Sequence, residues 1–209
     1  MTASLITRLA GPAALAAGTL MVTAQLVLST FDMDQHVATS TNPLFQVTQV
    51  FYLLGFMALM VFLFATSRWL EEKGGRFGVV ATLAALIGTM ALGGDLWFET
   101  FAVPWIADQV PGAFDTEPTI VLALGAISSY ALMALGWVLY GIASFRARVF
   151  PRTLSVALVI GGLLAFNALL APFGVALGLA ILAIGIWTVR NTAAASHEVA
   201  PVREPVSIG

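Results

Sequence analysis

The chain has 209 residues, of which 59% are apolar and only 10% charged. A soluble globular domain carries about 25% charged residues and roughly 45–50% apolar ones with glycine included, so the composition excludes that class and indicates one polytopic membrane domain. A net charge of −2 gives no basic excess for nucleic-acid phosphates, the absence of cysteine excludes disulfides and metal–thiolate centres, and His36 and His197 are too few to ligate several haems.

At about 20 mostly apolar residues per crossing, hydropathy predicts an all-α bundle of six transmembrane helices near 9–30, 44–66, 77–97, 118–143, 153–170 and 173–190. The first follows Arg8 and includes Val22-Thr23-Ala24, so a cleaved secretory signal is the alternative reading. Its apolar run reaches about Leu28, longer than a typical signal core of about 7–15 residues. In the next loop Asp32, Asp34 and His36 alternate. That pattern suits a hard cation, and it suits equally acids that hydrogen-bond turn amides.

The second helix carries Gln46 and Gln49, and Arg68, Lys73 and Arg76 fall in the loop after it. The third ends near Asp95, with Glu99 one turn further on. Trp97, Phe98, Phe101 and Trp105 then recur at helical spacing, with Pro104 starting or kinking a further turn. This segment belongs in the headgroup region, either as an anchoring belt or as a lid over a ligand. Asp115 or Thr116 is expected to cap the fourth helix, with Glu117 and Pro118 in its first turn. Pro172 and Gly174 separate the last two helices. Residues 191–209, with Pro201, Pro205 and mixed charge, read as a disordered tail in which His197 is solvated.

Orientation follows from the basic residues, which concentrate in cytoplasmic loops. Arg8, Arg68, Lys73, Arg76, Arg146, Arg148, Arg152, Arg190 and Arg203 all fall on one side of the six spans. The expectation is an inner-membrane protein with both termini cytoplasmic and with loops 31–43, 98–117 and 170–174 facing out.

Helices associate in lipid by close packing at small residues. Ala84 with Gly88, Gly125 with Ser129, and Gly174 with Gly178 have the required spacing. Packing within the chain is the simpler reading, and a homo-oligomeric face on the sixth helix is the alternative. A faint echo places Tyr52 and Tyr130 each sixteen residues before the first arginine of a basic loop, Arg68 and Arg146, as two parallel hairpin repeats would.

Polar groups at membrane depth are costly and tend to mark function. Gln25, Gln46, Gln49, Asp95 and Asn167 all fall in the outer part of the bilayer, whereas the inner part offers mainly hydroxyls such as Thr66, Thr82 and Ser155, which their own helix can satisfy. The expected picture is an outward polar vestibule above a dry inner plug. The first functional reading is a binding or sensing module for a lipid-like or small amphiphilic molecule, contacted by Gln25, Gln46, Gln49, Trp97, Trp105 and Asn167. The second is a membrane-embedded enzyme acting on an isoprenoid-like substrate with Asp95 and Glu99 as its carboxylate pair. A transporter and a structural partner in a larger complex are further alternatives, and no motif names a cofactor.

Residues 135–162, Leu-Gly-Trp-Val-Leu-Tyr-Gly-Ile-Ala-Ser-Phe-Arg-Ala-Arg-Val-Phe-Pro-Arg-Thr-Leu-Ser-Val-Ala-Leu-Val-Ile-Gly-Gly, set Pro151 and three arginines between two spans. This segment resembles the fourth-to-fifth-helix hairpin of a family of small bacterial six-helix membrane proteins known only as a domain of unknown function. The resemblance implies the fold and carries over no site.

Overall fold

The computed structural model describes residues 5–32, 36–110, 112–114, 118–168 and 171–198, with the backbone alone described at 5, 36, 37 and 193–198. It is all-helical, with no strand among the described residues. Four segments are long and apolar enough to cross a bilayer, Ala10–Leu28, Pro43–Gln109, Ile120–Ala147 and Val175–Thr192, and Arg152–Ala165 is a shorter apolar helix.

Helix α1 spans Ala10–Leu28. The run Pro43–Trp97 is interrupted at Gly75, where φ 55° and ψ −144° are open to glycine and strained for other residues. The chain reverses there. Gly78 lies so close to the Leu70 carbonyl that a Cβ has no room, and further along Gly93 faces the Phe56 ring. The run is therefore a helical hairpin, with α2 over 43–74 and α3 over 76–97. A π-helical turn, Phe98–Ala102, leads from α3 into a short helix, Val103–Gln109. Helix α4 is Ile120–Ala147, α5 is Arg152–Ala165 and α6 is Val175–Glu198.

Several boundaries differ from expectation. Arg68 and Lys73 lie on the last turns of α2 instead of in a loop, with Arg68 paired to Glu72 at 2.8 Å. Glycine at 75 allows a reversal without a spacer. Most of the expected loop 98–117 is helical as far as Gln109, because Pro104 sits in the first turn of its helix, where a missing N–H costs nothing. Asn42 caps α2 by accepting from the Leu44 amide at 2.9 Å, after a short helix, His36–Ser40.

Helix α4 is capped by Thr119, whose hydroxyl accepts from the Leu122 amide at 3.4 Å, and Pro118 precedes the helix. Asp115, Thr116 and Glu117 lie outside the described residues. Helix α5 stops at Ala165, short of the expected 170, and α6 continues to Glu198, so the first part of the expected tail is helical. Residues 199–209 and the His197 side chain are outside the described set.

Glycines set the helix crossings. In α1 and α6, Gly18 meets the Leu182 backbone, Gly178 meets Met21 and Val22, and Gly185 meets Ala14 and Leu15. Between α3 and α4, Gly88 lies on Leu132 and Met133 while Gly136 lies on Ala84 and Ala85. Gly162 meets Trp137 and Val138 to join α4 to α5, and Gly161 meets Leu177 to join α5 to α6. The Ala84–Gly88 and Gly174–Gly178 pairs thus pack within the chain. Gly125 faces open space, and the Ser129 hydroxyl returns to the Ala126 carbonyl at 2.7 Å.

Phe62, Trp137 and Tyr140 form the buried aromatic centre, with Trp137 Nε1 donating to Thr89 Oγ1 at 3.1 Å. The Phe150 ring ties Phe62, Trp69 and Trp187 together, the Arg146 guanidinium lies 5.3 Å from the Phe77 ring centre, and Gly11 meets Val189. These contacts gather the basic residues Arg8, Arg68, Lys73, Arg76, Arg146, Arg148, Arg152 and Arg190 at one end of the bundle.

Candidate binding site

At the opposite end, α1, α2, α4, the turn after α3 and the segment after α5 surround a cavity of about 80 Å³. Its polar wall is Gln25, Gln49, Tyr52, Glu99 and Tyr130, and Leu28, Phe45 and Leu96 belong to its apolar wall. Positions 45, 49 and 52 share one face of α2 by helical spacing, so a single helix supplies an aromatic ring, an amide and a hydroxyl.

Gln25 is only 1% exposed. Its Nε2 donates to the Ala168 carbonyl at 3.3 Å, and Gly174 presses against its amide, which leaves Oε1 buried without a partner. Gln49 is 6% exposed, and its Oε1 is likewise buried without a partner. The Tyr52 hydroxyl lies beside Gln25.

Glu99 reaches the cavity from the π turn, whose hydrogen bonds span five residues instead of four. That turn keeps Thr100 buried on the Leu96 carbonyl while Trp97, Phe98 and Phe101 face outward. Asp95, one turn earlier and half-buried, lies within electrostatic reach of Glu99 and Tyr130.

The other expected site residues lie elsewhere. Gln46 donates to the Ser40 carbonyl at 3.2 Å and holds the short helix against α2. Trp97 and Trp105 are 54% and 65% exposed, an outward belt that does not line the cavity. Asn167 is exposed and also does not line it. Asp32 is exposed, and Asp34 and the His36 side chain fall outside the described set. No three His, Cys, Asp or Glu side chains gather at one point among the described residues. Tyr52 and Tyr130 were not among the candidate contacts, although their matched sixteen-residue spacing was visible.

At the basic end an open depression of about 380 Å³ lies among Trp69, Lys73, Val149, Trp187 and Asn191. Thr66 and Thr82 bond back to the Phe62 and Gly78 carbonyls at 2.8 and 2.9 Å, as expected, but the buried Ser144 and Ser155 hydroxyls have no partner.

Comparison with protein-family models, with curated proteins and with solved structures finds no match to this chain.

Proposed function

We propose that this chain is a six-span inner-membrane protein with both termini cytoplasmic, and that its extracytoplasmic end binds a small ligand through Gln25, Gln49, Tyr52, Glu99 and Tyr130. Gathering of the basic side chains at one end supports the orientation. The reversal at Gly75 supports counting α2 and α3 as two crossings. The likeness of residues 135–162 to a six-helix family agrees with this topology.

One observation carries the binding reading: Gln25 and Gln49, on different helices, line one cavity, and the Oε1 atom of each is buried without a hydrogen-bond partner. Leaving a buried acceptor unmade costs about 1–3 kcal/mol. A ligand that brings hydrogen-bond donors or positive charge removes both penalties together. The cavity is well below the roughly 300–1,000 Å³ of a drug-sized site. It therefore accommodates the polar head of an amphiphile, with any acyl or isoprenoid chain left outside along the apolar helix faces. The same dimension weakens the enzyme reading, and of Asp95 and Glu99 only Glu99 lines the cavity.

Mass spectrometry of species that copurify with the protein tests the proposal. The expected result is a reproducible small molecule or ion that is absent from the Gln49→Leu variant. Identical spectra for the two proteins would overturn it.

A further inference from the structure

Resting on that reading, we infer that the cavity between α1, α2 and α4 is a site for one partly dehydrated monovalent cation. Acceptors dominate its polar wall. Gln25 Oε1 and Gln49 Oε1 are carbonyl oxygens buried without a hydrogen-bond partner, Glu99 adds a carboxylate, and the Tyr52 and Tyr130 hydroxyls, donors as well as acceptors, add lone pairs. The Gln25 amide is oriented by its own donor: Nε2 is engaged with the Ala168 carbonyl, so the oxygen is the atom left over.

Neutral carbonyls with one carboxylate are hard oxygen ligands of the kind that sodium, potassium and ammonium accept. A single lining carboxylate balances a single positive charge. A divalent ion would call for more anionic ligands, and among the described residues no third acid or imidazole joins the group. Volume points the same way. About 80 Å³ holds an ion with one or two waters, since water occupies about 30 Å³ in the liquid. Gly174 acts as a positioning residue, because a Cβ there would fall 2.7 Å from Gln25 Cδ and displace the amide.

Thermal unfolding of the full chain in detergent tests this, in sodium, potassium, ammonium and N-methylglucamine chlorides at equal ionic strength, the last cation being too large for the cavity. The expected result is a saturable rise in Tm with at least one small cation, by about 3–6 °C at ten times its dissociation constant. Gln49→Met should abolish the rise, Glu99→Gln should weaken the cation at least about tenfold, and Asn167→Ala should leave it intact. If Gln49→Met fails to fold, Gly174→Ala serves in its place.

Equal Tm in all four salts, or an unchanged rise in Gln49→Met and Gly174→Ala, overturns the cation and leaves ordinary water in the cavity. If an organic species copurifies and is lost in Gln49→Met while no salt matters, the binding reading stands and the cation falls. If neither is seen, both fall.

Discussion

Tyr140 Oη and Thr66 Oγ1 share a hydrogen bond of 2.6 Å that joins α4 to α2 where both residues are fully buried. We assign Tyr140 as the donor because Thr66 Oγ1 also lies 2.8 Å from the Phe62 carbonyl, which can only accept. Tyr140→Phe should therefore be mild, about 0.5–1.5 kcal/mol, since it leaves Thr66 satisfied. Thr66→Val strands the tyrosine hydroxyl and should cost more, about 1–3 kcal/mol. Reversible unfolding of both variants in one detergent reads the order, and a larger loss for Tyr140→Phe would contradict the assigned direction.

Gly136 and Gly125 sit on the same helix, and their substitutions should diverge. A Cβ at Gly136 would fall on the Ala84 and Ala85 backbone, which cannot yield as a side-chain tip can. Gly136→Ala should lower Tm by several degrees or reduce folded yield. Gly125→Ala meets open space and gains helix propensity, so it should raise stability by up to about 1 kcal/mol.

The chain has no cysteine, so a single introduced thiol reports topology without background. Asp108 and Glu72 are exposed at opposite ends of the bundle. In intact cells a membrane-impermeant maleimide should label Asp108→Cys directly and Glu72→Cys only after permeabilisation. The reverse pattern would invert the proposed orientation.

The two cavity amides should also differ when no ligand is present. Gln49→Leu removes an unpaired buried acceptor at similar volume, so Tm in ligand-free buffer should stay level or rise. Gln25→Leu also strips the donor from the Ala168 carbonyl, and its gain should be smaller or negative. A large loss in Gln49→Leu would mean that its oxygen is satisfied in solution by a retained species.

Much of this was legible in the chain and some was not. Helical spacing and the clustering of Gln25, Gln49 and Glu99 toward one side were readable because composition confines polar atoms to few positions. Direction around a helix was not. Asn167, expected beside Gln25, is exposed because α5 ends at Ala165 and the chain has already left helical geometry. Trp105 is exposed for a related reason: the π turn rotates the segment after it beyond what a steady 3.6-residue period foretells. The reversal at Gly75 looked like a loop because charge marks polarity and says nothing of backbone angles.

The turn Phe98–Ala102 places its aromatic rings and Glu99 on opposite sides of one short, stiff piece of chain. Rings of this kind settle at the boundary between headgroups and hydrocarbon, so the bilayer sets the height at which that carboxylate stands. Thinning or thickening the membrane would then draw the acid toward or away from the two glutamines, and lipid chain length would enter the affinity of the site as a variable in its own right.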